Sequence, residues 1–204
     1  MNVASTTGNK SLEVITLSDG KSLTAEILPF GAIIKSIKFN NQEMTLCVNE
    51  PAYYLENPFY LGATVGRYAN RIENGRFVLS GTEYQLKANN GPNSLHGGEK
   101  GFNKVLWQVT KQSNNEVELY YCSADGEEGF PGQLQVWQTI TARNGELILI
   151  YKAITDKETL VNFTNHCYFN LEGSESINNH LLQINTATYL PIDSNSIPLA
   201  HHED

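Results

Sequence analysis

An all-β fold, built as an antiparallel sandwich or barrel, is what this 204-residue sequence predicts, and three observations carry the prediction. Apolar residues recur with a two-residue period along most of the chain, the spacing at which an extended strand gathers its side chains on one face. The alternating runs are short and are separated by Gly, Asn and Pro turn signals. Stretches with a helical period are scarce.

The elements follow in order. Ile33, Lys35, Ile37 and Phe39 are expected on one face of a first strand. Residues 76–80 and 83–87 flank Gly81-Thr82 and read as a short hairpin, and residues 105–110 and 117–122 flank a second turn at Ser113-Asn114-Asn115. The strongest hairpin signal is Asn144-Gly145 between the β-rich runs 134–142 and 146–153, because both turn residues tolerate positive φ. Leu147, Leu149 and Tyr151 fall on one face of the second run and Ile148 and Ile150 on the other, so this strand is expected to be covered on both sides. Residues 181–184 and 188–190 predict one more strand pair before Pro191. No internal repeat, low-complexity linker or composition shift divides the chain, so residues 1–204 are read as one domain.

Composition limits the function classes. A formal net charge of −8 with dispersed Lys and Arg disfavours a nucleic-acid partner, which wants a basic face. Cys47, Cys122 and Cys167 lie far apart without CxxC spacing, which argues for a reducing compartment rather than a disulfide framework. Neither an apolar signal core near the start nor a run long enough for a membrane span is found, so a cytoplasmic location is expected.

Three segments interrupt the strand pattern, and loops on a β scaffold are where chemistry tends to sit. Residues 62–74, GATVGRYANRIEN, place Arg67 and Arg71 beside Asn70; their rigid and mixed hydrogen-bonding groups suit a polyhydroxylated ligand or a carboxylate. The alternative is one arginine paired with an acid and the other solvated. Residues 89–103 hold His96 between turn-forming Asn-Gly-Pro and Gly97-Gly98, so its imidazole either faces a cleft or bonds a nearby carbonyl. Residues 162–173 contain Asn165, His166, Tyr168 and Asn170 among Phe163, Phe169 and Leu171. In an extended segment His166, Tyr168 and Asn170 share one face, which is costly to bury unless satisfied or used. A histidine there can exchange a proton near neutral pH, or it can be a core residue satisfied by backbone.

Each of these segments resembles a signature of the aldose 1-epimerase (galactose mutarotase) family. GRYANRI at residues 66–72 is similar to the family's sugar-contacting motif, NNGPNSLHGG at 89–98 to its first histidine loop, and TNHCYFNL at 164–171 to the segment of its proton donor. DGEEGFPG at 125–132 and YLPIDSNSIP at 189–198 also resemble family segments. The resemblance implies a large antiparallel β-sandwich with an open sugar cleft, a free aldohexose as substrate, and no metal or organic cofactor. It implies that His166 protonates the ring oxygen, that His96 hydrogen-bonds and polarises nearby, and that Asn70, Arg71 and Tyr168 orient the hydroxyls. Ring opening, rotation about C1–C2 and reclosure then exchange the α and β anomers.

After Pro198 the sequence departs from the family, which continues with a Thr-Gly turn and a long C-terminal portion holding an acidic sugar-binding residue and the glutamate base. No acid within residues 1–204 matches that glutamate's motif, so the base is assigned to none of them, and unpaired sheet edges are expected. His201-His202 before Glu203-Asp204 is read as a frayed tail rather than a metal site. Two other functions stay open: a noncatalytic sugar-binding or regulatory module, and a relative acting on hexose 6-phosphates, for which only Arg67 and Lys100 add to Arg71 as basic groups.

Overall fold

A computed structural model describes residues 12–201 and 203. The first sheet is an antiparallel meander of β1 (Ile15–Ser18), β2 (Leu23–Leu28), β3 (Ile33–Phe39) and β4 (Gln42–Glu43). The second is also sequential, with β10 (Gln108–Gln112), β11 (Glu116–Ser123), β12 (Leu134–Arg143) and β13 (Glu146–Thr155). Between them run short ladders: β5 (Thr64–Val65), β6 (Arg71–Ile72), β7 (Arg76–Leu79), β8 (Thr82–Gln85) and β9 (Ser94–Leu95), and β14 (Thr164–Asn165) follows the second sheet. Among the described residues no helix is long and apolar enough to cross a membrane.

The sheets face each other across one apolar core. In β12 the alternation is clean: Leu134, Val136, Gln138, Ile140 and Ala142 are buried. They meet Val117 and Leu119 of β11 and Ile15, Leu17, Ala25 and Ile27 of the first sheet, with Trp107 and Phe102 filling one end. Gln138 is a polar side chain in this core, and both its ends are satisfied: its Oε1 accepts from Thr64 Oγ1 at 2.7 Å and its Nε2 donates to the Tyr151 hydroxyl at 3.3 Å. Asp19 fastens the two sheets at their far end. Its carboxylate accepts from the N–H groups of Lys21, Ser22 and Leu23, and from Gly145 in the β12–β13 turn, and these bonds hold its pKa well below the usual carboxylate range.

Three strand expectations need correction. The register between β2 and β3 shifts so that Glu26 faces Ser36 while Ile27 faces Ile34, leaving Lys35 as the extra residue of a bulge. The bulge resets the alternation: Ile34 and Ile37 enter the sandwich core, while Ile33 turns to a second cluster with Leu28, Tyr54, Leu61 and Ala63. Lys35 is buried by the same device and pairs with Glu26 at 2.6 Å, and Phe39 is exposed. Strand β13 is not covered on both sides. It is the outer strand of its sheet, and Ile150 and Ile154 are 57% and 49% exposed. Residues 181–184 and 188–190 form no strand pair; Leu181, Leu182 and Ile184 are exposed, and single bridges, Tyr189–Glu203 and Ile192–Pro198, with local turn bonds, take the place of a ladder.

Candidate active site

Two short ladders bring the three interrupting segments together. Strand β6 pairs with β9, joining residues 62–74 to residues 89–103, and β5 pairs with β14, joining residues 62–74 to residues 162–173. Contact between the first two segments is backbone on backbone. A Cβ on Gly97 would lie 1.9 Å from the Gly66 carbonyl oxygen, and Gly97 has φ +87°, so glycine alone fits there.

At the end of the β6–β9 ladder, Asn70 and His96 clasp each other. The His96 N–H donates to the Asn70 carbonyl at 3.0 Å, and the Asn70 N–H donates to His96 Nδ1 at 3.0 Å. Both residues are left-handed, with φ of 64° and 55°, a conformation that asparagine and histidine tolerate better than most side chains. Because Nδ1 accepts, the neutral imidazole carries its proton on Nε2. Burial first, then His166 and Arg71, push the His96 pKa down to about 4. Near neutral pH His96 is therefore an uncharged ring presenting an Nε2–H donor.

His166 arrives from the other ladder. Its N–H donates to the Ala63 carbonyl at 2.9 Å, and its own carbonyl accepts from Gly62. The ring stands 5.4 Å from that of His96 at 87°. Its nitrogens bond no other described residue. Beside the two rings opens a cavity of about 470 Å³ lined by Ala69, Asn70 and residues 162–167.

Arg71 follows Asn70 in the chain. Its Nε donates to Asn90 Oδ1 at 2.9 Å and one Nη to Asn70 Oδ1 at 3.2 Å, which fixes the guanidinium beside the clasp. It lines a separate recess, about 250 Å³, with Asn90, Asn93, Ser194 and Ser196, so residues 189–198 reach Arg71. Tyr168 extends the aromatic surface, its ring 5.0 Å from His166, and its hydroxyl donates to the Phe59 carbonyl at 3.0 Å.

The structure thus gathers His96, His166, Asn70, Arg71 and Tyr168 in one place. Asn170 does not join them: the segment runs on beside residues 44–46, and the Asn170 amide donates to the Ser174 carbonyl instead. Arg67 is also not a ligand group. It is 2% exposed, and its donors are spent on Ser123, Ala124, Pro131 and Thr159, a fate matching neither the ligand role nor the surface ion pair considered from sequence. Tyr60 was not singled out from sequence because it lies just outside the first segment; its ring is 4.8 Å from His96 and 5.8 Å from His166.

Acids are present nearby but committed elsewhere. Glu127 accepts from the Tyr121 and Ser123 hydroxyls, and Glu128 accepts from the N–H groups of Glu99 and Lys100. No described carboxylate lines the cavity beside the histidines. Of the terminal His201-His202 pair, His202 and Asp204 lie outside the described residues, and His201 Nε2 is 3.3 Å from Glu203.

The chain is similar to known proteins in sequence and in fold. The model of the family described as aldose 1-epimerase matches residues 13–204. Galactose mutarotase of Sus scrofa is 45% identical over 183 residues, which cover 86% of this chain and 53% of the relative. Aldose 1-epimerase of Escherichia coli strain K12 is 38% identical over 193 residues, covering 91% and 56%. Among solved structures, an aldose epimerase homologue from C. elegans superposes with a TM-score of 0.89 at 30% identity, covering 93% of this chain and 60% of that one. Galactose 1-epimerase from Lactobacillus acidophilus gives 0.85, also at 30% identity, covering 94% and 58%. The chain spans about half the length of the curated relatives it matches. With the family model matching residues 13–204, and relatives 45% and 38% identical, the chain belongs to the aldose 1-epimerase family.

Proposed function

We propose that this chain carries the proton-donor side of an aldose 1-epimerase acting on free aldohexoses of the glucose and galactose class. The observation that supports the reading best is the perpendicular histidine pair beside an open polar cavity. His166, with ring nitrogens free of other described residues, is the group that protonates the sugar ring oxygen. His96 cannot share that role near neutral pH, since its low pKa leaves it uncharged; it supplies an Nε2–H hydrogen bond to an oxygen that gains charge as the ring opens. Asn70 and Arg71 meet the hydroxyls, and Tyr168 packs its ring against His166.

Opening the hemiacetal also needs a base for the C1 hydroxyl proton, and each positioned acid or base contributes about 10²–10⁴-fold. With no described carboxylate at the cavity, the polypeptide 1–204 by itself is expected to bind sugar weakly and to turn it over little or not at all. A noncatalytic sugar-binding role for this polypeptide is favoured by the same observation. The hexose-6-phosphate reading loses support because Arg67 is consumed inside the fold, and Lys100 lines neither the histidine cavity nor the recess at Arg71. Polarimetry on freshly dissolved α-D-galactose and α-D-glucose tests the proposal, alongside calorimetry with galactose and glucose 6-phosphate. No acceleration beyond buffer, with galactose binding that Arg71→Ala removes, is the expected result. A first-order acceleration abolished by His166→Ala would overturn the expected inactivity, and tighter binding of the 6-phosphate would overturn the substrate class.

A further inference from the structure

Tyr60 is the aromatic residue that touches both histidines. Its ring meets His96 edge-on at 4.8 Å and 68°, and lies tilted at 30° over His166 at 5.8 Å. With the 5.4 Å separation of the histidines, the three rings close a triangle in which each packs on the other two. The backbone under Tyr60 is held deliberately. Its φ is 58°, a conformation a bulky side chain adopts only where the surroundings over-determine it. Asn57 supplies that constraint: its carbonyl accepts from the Tyr60 N–H at 3.0 Å, and its buried side chain both accepts from and donates to the Leu61 backbone.

We propose that Tyr60 is the positioning residue of the histidine pair, its ring fixing His96 and His166 near a right angle and keeping water from the inner face of His96. The inference rests on the site assignment above and deepens it. Without the ring, His96 would keep its bond from the Asn70 N–H but gain solvent on the side Tyr60 now covers. Its Nε2–H would then be aimed less firmly, and the imidazole would protonate more easily. The groups facing His96 that carry or can gain charge are His166 from the β14 side, Arg71 from the start of β6, and the Tyr60 phenol itself. The phenol hydroxyl bonds no other described residue, so the proposed role belongs to the ring and survives in phenylalanine.

The test follows the imidazole C–H resonances of the polypeptide by NMR as pH is lowered, with His96→Gln identifying the His96 signal. In the unsubstituted chain that signal is expected to titrate near pH 4. Tyr60→Phe is expected to leave the midpoint in place. Tyr60→Leu is expected to raise it by about one unit or more towards the ordinary 6.5, with amide dispersion unchanged. An unchanged midpoint in a folded Tyr60→Leu chain would overturn the proposal. Should that variant not fold, nuclear Overhauser contacts decide: cross-peaks between the Tyr60 and His96 rings together with an unshifted Tyr60→Phe midpoint support it, and lack of those cross-peaks overturns it. Galactose titration of the same sample reads the underlying assignment separately. If galactose moves neither histidine's resonances the sugar site fails, whatever Tyr60 does.

Discussion

Arg67→Lys is a conservative exchange by charge, yet the structure predicts a large loss of stability. The guanidinium is almost fully buried, and four bonds of 3.2 Å or shorter leave it in three directions: Nε to Ser123 Oγ at 2.9 Å, one Nη to the Pro131 carbonyl at 3.0 Å, and the other Nη to the Ser123 and Ala124 carbonyls at 3.2 and 2.8 Å. Burial pushes its pKa down and the Glu127 and Asp125 charges oppose that, so desolvation is balanced by a field as well as by the fork. A lysine ammonium is a point with three donors and cannot span acceptors arranged around a plane. At least two carbonyls would be left buried and unsatisfied, each worth about 1–3 kcal/mol, and the bonds an ammonium could still make offset part of this, so the expected cost is about 2–4 kcal/mol for Arg67→Lys. Arg67→Met, which empties the whole set, is expected to cost about 3–5 kcal/mol. Urea unfolding at neutral pH measures both through the midpoint at constant slope. A loss below about 1 kcal/mol for Arg67→Lys, with the slope unchanged, would show that the fork does not organise this region.

Other outcomes follow from the same structure. Gly97→Ala is expected to destabilise by about 3 kcal/mol through collision with the Gly66 carbonyl at a left-handed φ, whereas Gly20→Ala, with nothing within 4 Å, costs about 1 kcal/mol; paired urea titrations check the contrast. His96 is depressed in the folded state, from 6.5 to about 4, so the unfolded chain takes up the proton first and stability attached to this residue is present above pH 6.5 and lost as pH falls towards 4. The full shift would be worth about 3 kcal/mol, which partial solvent access reduces to about 1–2 kcal/mol. His96→Gln should remove that part of the slope, and equal slopes in both proteins between pH 7 and 4.5 would contradict it. Ile150→Lys, on the open face of the outer strand, should change stability by less than about 0.5 kcal/mol, measurable in the same assay.

The parts of this fold that were legible from sequence are those set by local rules. Asn144 and Gly145, with φ of 53° and 79°, turn the β12–β13 hairpin where the dipeptide indicated, and the register runs unbroken from Arg143–Glu146 to Leu134–Thr155. The three interrupting segments were visible as breaks in the two-residue period, and five residues chosen from them converge. Non-local events were not visible. A bulge at Lys35 depends on what β2 presents opposite it, and the burial of Arg67 depends on carbonyls more than fifty residues away. The coverage of β13 and the strand pair after residue 180 failed for a related reason: alternation states that a face is apolar, and packing requires a second surface to meet it. Tyr60 carried no local signal, because its left-handed backbone is imposed by Asn57 rather than by its own residue type.

The clasp between Asn70 and His96 has a consequence for anyone seeking to alter sugar preference. One residue is a hydroxyl contact in the proposed site and the other hydrogen-bonds the oxygen that gains charge, yet each backbone N–H is committed to the other residue. A substitution at position 70 that prefers right-handed or extended backbone would tilt the imidazole with it, so a screen for new specificity would report lost turnover and conceal altered recognition. Recognition and charge stabilisation are inherited here as a single unit, and productive libraries would vary positions 70 and 96 together.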